Sequence, residues 1–389
     1  MTRVSSQVDR ELTATRANAK SLRIGIIARA LSLPFGGVRE FLDATIEALL
    51  CLDAPHRFVI YYDNPAHMGR YPTADETLLR APHKFLWDHA ILPLRLAQDR
   101  LDVVWFPHNV IAFGLRTPAV VTIHDLLYFP APEMPRREYA LLDTLYMRLF
   151  IPRSLRRARR VIADSRWTAA DIRRLARIER DDVQVVPLAP GRLFRPQPVS
   201  EQVRVRQTYR LEQPYFLFAG ITSPRKNVRT LIKAYAQIHE EIGHDLVLVG
   251  GPGYVNEPVD DLIRRAGLTG RVHHLGVAPR TDLPGLYTAA DAFVFPSLYE
   301  GFGLPPLEAM ACGCPVICSN ATSLPEVVGD AALLFDPHDT TALADHMRAV
   351  ARDPSLRERL RRRGLERAAQ FSYQRSAARL LTLLEEAAG

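Results

Sequence analysis

The stretch Ser297–Cys318, SLYEGFGLPPLEAMACGCPVIC, constrains this chain more than any other. An apolar run, Ala292–Pro296, precedes it and reads as a buried strand. A loop with Gly301 and Gly303 follows, then Pro305 and Pro306. Proline in a first helical turn sacrifices no intrahelical hydrogen bond, so the pair marks a helix start. The helix is expected over about Leu307–Cys312, and a second strand over Pro315–Cys318. Strand, glycine loop, helix and strand form the unit of an open α/β sheet. Unpaired N–H groups and the positive end of the helix dipole meet in the loop, which suits a phosphate. Two carboxylates bracket the turn, Glu300 in the loop and Glu308 in the expected first helical turn. Beside a phosphate, a carboxylate serves to accept hydrogen bonds from hydroxyls. Phosphate donors flanked by hydroxyl acceptors describe a nucleotide-sugar pocket. For an isolated Glu-x7-Glu pair the competing reading is a β–α connection with two surface glutamates.

The same unit recurs along the chain. Arg23–Ala28 is a short apolar strand, Ser32–Gly37 (SLPFGG) a loop, and Val38–Leu50 a helix with apolar residues at helical spacing. Gly36 and Gly37 would let the backbone approach a phosphate closely, although a plain turn explains them as well. Strands are also expected at Arg57–Tyr62 and Asp102–Phe106. Ala119–Ile123 runs directly into His124 and Asp125. Ligands gather at the carboxyl ends of such strands, so His124 stands where chemistry is usual, with a structural role the alternative. Asp125 would either fix the imidazole or cap the next turn. Tyr215–Ala219 leads into a loop, Gly220–Asn227, and a helix over Val228–His239. Arg225 and Lys226 in that loop read as a diphosphate clamp, against the ordinary reading of two solvated cations. Asn227 would support the loop. Asp245–Gly250 and Arg271–Gly276 are further strands, and Ser323–Gly329 with Ala331–Phe335 is expected to complete the sheet. Glu326 reads as a loop-orienting acid.

Taken together, these segments resemble the retaining glycosyltransferases of family 4 (group 1). The resemblance is dense over 215–335 and sparser over 23–187. It implies an α/β chain of GT-B fold, two Rossmann-like doubly wound domains facing across a cleft. It implies that Glu300 lies by the donor sugar and Glu308 holds the nucleotide ribose. By the same resemblance His124 contacts the donor sugar, making Glu300 and His124 the catalytic candidates. Gly36, Gly37, Arg225 and Lys226 would face the donor diphosphate. Val277 falls in the segment whose backbone reads the nucleobase, and Gly301, Phe302, Gly303 and Leu304 line the donor loop. The implied reaction moves a hexose of mannose or glucose type from a nucleoside-diphosphate sugar to an acceptor hydroxyl. Retention at the anomeric carbon and a place in envelope or polysaccharide biosynthesis are part of that expectation. The acceptor would be a sugar or a lipid-linked sugar. The rival is a non-catalytic protein that binds a nucleotide sugar or another anionic ligand. No Asp-x-Asp triplet occurs in the chain. A metal-independent diphosphate site is therefore expected, with no cofactor beyond the nucleotide-sugar co-substrate.

Length and charge fit this reading. The chain has 389 residues, enough for two domains, and a formal charge of +7 that favours an anionic partner. No nucleic-acid-binding motif is evident. Its four cysteines lack the spacing of a zinc site. We expect a disordered tail over 1–20, an acceptor-side domain over 21–195, a donor-binding domain over 196–370, and a C-terminal helix over 371–389 crossing back. No apolar run is long enough to span a bilayer, so the expected location is cytoplasmic. A helix patterned over Pro135–Arg160, broken or kinked at Pro152, ends in Arg153, Arg156, Arg157, Arg159 and Arg160. That cluster is either a solvated face or a peripheral contact with the inner membrane face.

Overall fold

The computed structural model describes residues 21–33, 36–134, 139–253 and 258–389. The expected tail over 1–20 lies outside the described residues. Among the described residues are a seven-stranded and a six-stranded sheet, and every strand pairing is parallel. The first contains β1 (Arg23–Ile27), β2 (Arg57–Tyr62), β3 (Asp75–Leu78), β4 (Val103–Phe106), β5 (Ala119–Ile123), β6 (Arg160–Ala163) and β7 (Gln184–Val185). The second contains β8 (Tyr215–Ala219), β9 (Asp245–Val249), β10 (Val272–Gly276), β11 (Ala292–Phe295), β12 (Val316–Ser319) and β13 (Ala332–Phe335). β4, β5, β8, β9, β11 and β12 are buried along their whole length. Continuous apolar runs of this kind are what a sheet covered on both faces requires.

Six helices carry the argument: α1 (Gly37–Leu50), α2 (Leu141–Arg157), α3 (Arg166–Arg174), α4 (Val228–Ala236), α5 (Leu304–Ala311) and α6 (Tyr373–Ala388). The chain is therefore α/β with two Rossmann-like domains, the GT-B arrangement. The strand order of the first sheet is β3-β2-β1-β4-β5-β6-β7, which reverses direction between β1 and β4. In the second, β10-β9-β8-β11-β12-β13, the reversal falls between β8 and β11. Crevices for ligands open at such points, outside the carboxyl ends of the strands. The loop with Gly36 and Gly37 leaves β1, the loop with Arg225 and Lys226 leaves β8, and the loop with Glu300 leaves β11.

α6 returns to the first sheet and packs on α1, β4, β5 and β6. His56 bonds Glu385 across this contact at 2.8 Å, and Ser376 donates to the carbonyl of Pro187 at 2.7 Å. No helix among the described residues is long and apolar enough to cross a membrane.

Several expectations need correction. The segment Ser323–Gly329 is a helix over Leu324–Val328 rather than part of the sheet. Pro325 sits in its first turn, where proline starts helices but cannot join a central ladder. The helix after Glu300 begins at Leu304, so Glu308 lies in its second turn, not its first. Pro152 does not break its helix, because α2 runs through it from Leu141 to Arg157. The first residues of that expected helix, 135–138, lie outside the described residues. Of the five arginines, Arg157 turns inward to the carbonyls of Leu115, Arg116 and Thr117, and Arg160 pairs with Glu386 at 3.3 Å. The cluster is thus not one continuous basic face.

Candidate active site

The loop after β8 is clamped before it reaches the site. Asn227 adopts a left-handed conformation, and its Nδ2 donates to the carbonyls of Pro296 at 3.1 Å and Pro337 at 2.9 Å. That amide ties the end of β8 to the end of β11. Arg225 and Lys226 are thereby held over the second switch point.

Glu300 meets them there. Its Oε1 accepts from Lys226 Nζ at 2.7 Å and Ser297 Oγ at 2.5 Å, and lies 2.9 Å from Arg225 Nη1. The peptide N–H of Glu300 donates to Thr322 Oγ1 at 2.9 Å. Arg225 Nη1 also donates to the carbonyl of Tyr299 at 2.8 Å. Glu300, Lys226 and Ser297 are buried and Arg225 is half-buried, and burial pushes the Glu300 pKa up. The Arg225 and Lys226 charges and the Lys226 and Ser297 hydrogen bonds outweigh it, holding the carboxyl below its ordinary range. Glu300 is therefore a carboxylate, and two cations share it. A diphosphate arriving here would find two positive groups already desolvated and aimed.

Glu308 has a different environment. It is buried on α5, with Arg280 Nη2 at 3.6 Å from its Oε1. The same Nη2 lies 3.2 Å from Oε2 of Glu40, on α1 of the first domain. Burial raises the Glu308 pKa to about 8, Arg280 opposes the rise, and Glu40 adds to it. At neutral pH its carboxyl is largely protonated. Arg280 also lines a cavity of about 260 Å³, together with Glu40, Asp43, Arg192 and Leu304 among others.

The two domains meet through glycine. A Cβ on Gly301 would lie 1.9 Å from the carbonyl oxygen of His124, so only glycine lets the loop after β11 meet the end of β5. The Gly301 carbonyl accepts from Ser165 Oγ at 2.6 Å and Thr168 Oγ1 at 2.9 Å, both at the start of α3. Glu326 accepts from the Arg166 N–H at 3.0 Å through each carboxylate oxygen, capping α3 from the second domain. Tyr299 donates to Asp171, another bond between the domains. A Cβ on Gly37 would lie 3.8 Å from Leu304, so the glycine loop of α1 also reaches the second domain. Gly36, at φ 122°, has open space where a Cβ would stand.

His124 is buried at this seam. Its Nδ1 lies 2.6 Å from Asp164 Oδ2, and its Nε2 lies 2.7 Å from the carbonyl oxygen of Pro107. The Pro107 carbonyl only accepts, and so does an ionised Asp164; against these two partners both ring nitrogens donate, which favours the imidazolium. Burial lowers the His124 pKa, but Asp164 reverses this and leaves it above the ordinary value. The acid that fixes His124 is thus Asp164, not Asp125, whose Oδ1 instead accepts from the Leu127 N–H at 3.2 Å.

The structure joins Arg225, Lys226 and Glu300 in one cluster, with His124 across Gly301 and Glu308 with Arg280 and Glu40. Phe302 turns into the core against Phe371, with ring centroids 5.9 Å apart. Gly303, at φ 105°, precedes α5, and Leu304 is buried. Val277 stands apart from the cluster, exposed at the end of β10 near Gly251. Among the described residues no group of three or more His, Cys, Asp or Glu side chains could hold a metal ion. Sequence reasoning missed Asp164, Ser165 and Thr168 as contacts of this seam, along with Asp171, Arg280 and Glu40. For Asp164 a signal existed: it follows β6, the strand paired with β5, and so stands beside His124.

Comparison with known proteins gives the family. Residues 38–189 match the family described as Glycosyltransferase Family 4, and residues 199–367 match Glycosyl transferases group 1. The chain is 40% identical over 280 residues to the O-antigen chain mannosyltransferase B of Escherichia coli, covering 71% of this chain and 72% of that protein. It is 31% identical over 266 residues to the serotype-specific mannosyltransferase WbdA of Escherichia coli, covering 66% of this chain but 32% of that longer protein. The crystal structure of Anabaena HepE in complex with UDP-glucose superposes with a TM-score of 0.74 at 21% identity, covering 93% of this chain and 100% of that one. The chain belongs to the family 4 (group 1) glycosyltransferases.

Proposed function

We propose that the protein transfers a mannose-type hexose from a nucleoside-diphosphate sugar to an acceptor hydroxyl, with retention of anomeric configuration and without a metal ion. The observation that carries this reading is the Arg225–Lys226–Glu300 cluster at the switch point of the second sheet, facing the end of β5 across Gly301. Departure of the sugar leaves negative charge on the diphosphate. Arg225 and Lys226 stabilise that charge where no water competes. Glu300, relieved of part of their attraction, accepts hydroxyls of the donor sugar. Glu308 accepts ribose hydroxyls once it has lost its proton. The His124 imidazolium, fixed by Asp164 and the Pro107 carbonyl, places positive charge at the first-domain side of the seam. Gly36 and Gly37 bring the start of α1 to the diphosphate, and Val277 lies where the base would enter.

The mannose assignment follows the names of the two Escherichia coli mannosyltransferases, and the O-antigen chain in one of those names supports a role in polysaccharide assembly. The test is incubation with GDP-mannose, UDP-glucose and ADP-glucose, with mannoside acceptors, in excess EDTA. NMR of the product should show the anomeric configuration of the donor. An inverted product, or activity only after Mg²⁺ or Mn²⁺ is added, would refute the corresponding part of the proposal.

A further inference from the structure

The outward face of α2 is apolar where a solvated helix is polar. Leu141, Leu142, Leu145 and Leu149 are 72, 80, 54 and 67% exposed. They are not this helix's core contacts, because Met147, Ile151 and Leu155 already supply a buried face. At about 100° per residue, Leu142, Leu145 and Leu149 form one stripe, and Arg153 and Arg156 continue it toward the C-terminus. Both arginines are exposed. Two aromatic residues extend the patch. Phe113, 54% exposed, has the Arg153 guanidinium 4.2 Å from its ring centroid. Phe85, 53% exposed, has its ring centroid 6.5 Å from that of Phe150. Lys84 beside it carries its charge over Tyr146.

We propose that this face docks on an anionic lipid bilayer. Leucines and aromatic rings enter the interface while flanking arginines meet headgroup phosphates. A second copy of the chain fits the stripe poorly. Parallel apposition of two such helices sets Arg153 and Arg156 against themselves. Antiparallel apposition sets leucines against guanidinium groups. A lipid surface accepts both halves of the stripe at once. The topology also gives the orientation. α2 ends at Arg157 and β6 begins at Arg160, so the arginine end lies at the amino edge of the sheet. The leucine end lies toward the carboxyl edge, where His124 and the cleft are, which brings the cleft mouth near the bilayer.

The test uses the full chain with phosphatidylcholine vesicles, with and without phosphatidylglycerol, sedimented at low and high salt. Binding is read without donor or acceptor, so it is decided separately from the transfer reaction. The protein should pellet with the anionic vesicles and be released by salt. Leu142→Ser with Leu145→Ser and Leu149→Ser should lower partitioning by about tenfold or more, as should Arg153→Glu with Arg156→Glu. Circular dichroism melting should show both variants folded, since the changed side chains are exposed. No pelleting with anionic vesicles at low salt overturns the proposal. So does binding that survives in both folded variants. A dimer in sedimentation velocity that the leucine variant dissociates, without vesicle binding, assigns the face to a second copy and overturns it too.

Discussion

The ammonium of Lys226 lies 2.7 Å from Oε1 of Glu300, joining the loop after β8 to the loop after β11. Each group prepares the other. The lysine keeps Glu300 ionised in a buried place, and the carboxylate keeps the ammonium desolvated without a counter-ion from solvent. A nucleoside diphosphate enters by taking a share of that charge.

Lys226→Ala should therefore weaken binding of GDP or UDP by about ten- to a hundredfold, the value of one or more hydrogen bonds to a charged group. It should also leave Glu300 dependent on Arg225 and raise its pKa. Calorimetry with the nucleoside diphosphate checks the first effect, and unchanged affinity would remove Lys226 from the site. Glu300→Gln, by contrast, should lower kcat more than it lowers nucleotide affinity.

Gly301→Ala inserts a methyl group 1.9 Å from the His124 carbonyl oxygen. Backbone cannot move aside as a side chain can, so the seam must open or strain at a cost of about 1–3 kcal/mol. The second sheet should be unaffected. We expect nucleotide binding to the second domain to persist while kcat falls by tenfold or more, with an increased radius of gyration in small-angle scattering. Wild-type turnover by this variant would show that the seam does not form in the active enzyme.

Much of this architecture was legible, for identifiable reasons. β2, β5 and β8 are short apolar runs bounded by polar turns, and the structure has them at the residues the pattern marks. The seam was less legible, because contacts between distant strands and between domains have no spacing in the sequence. Asp164 and His124 are 40 residues apart and become neighbours only because β5 and β6 pair in register. Arg280 and Glu40 meet across the cleft in the same way. The Ser323–Gly329 segment misled because its two valines suit a strand, while Pro325 has its effect through the backbone alone. Nor does a count of arginines say which way each one points. Arg157 faces carbonyls and Arg153 faces an aromatic ring.

The Asp164–His124 pair makes a pH-dependent prediction. The folded-state pKa of His124 lies above its ordinary value of 6.5. Its contribution to stability is thus complete below about pH 6.5 and is lost as pH rises through the folded value. Asp164→Asn keeps a hydrogen-bond acceptor but removes the charge. It should cost about 1.5–3 kcal/mol at pH 6, read by urea unfolding, and less at pH 9. A destabilisation that grows with pH would mean His124 is neutral in the native protein.

Glu308 should show opposite signs for stability and for binding. Its pKa rises from an ordinary value of 4.5 to about 8 in the folded chain, chiefly by burial. Between these two values the native state holds a proton that the unfolded state has lost. Stability therefore falls as pH rises across this window, and the penalty is complete above about pH 8. Glu308→Gln is always neutral and escapes it. The variant should gain on the wild type as pH increases and be at least about 1 kcal/mol more stable at pH 8, by thermal or urea unfolding. Ribose hydroxyls, however, need an ionised acceptor. Wild-type affinity for a nucleoside diphosphate should increase from pH 6 to pH 8 as Glu308 loses its proton. The glutamine variant should bind more weakly and without that slope. Arg280 and Glu40 modulate both effects, since Arg280 favours the carboxylate and Glu40 opposes it. Glu40→Gln should move both transitions to lower pH. If Glu308→Gln matches the wild type in stability at every pH yet loses affinity, Glu308 binds the nucleotide but is already ionised in the free enzyme. If it keeps affinity as well, the ribose lies elsewhere.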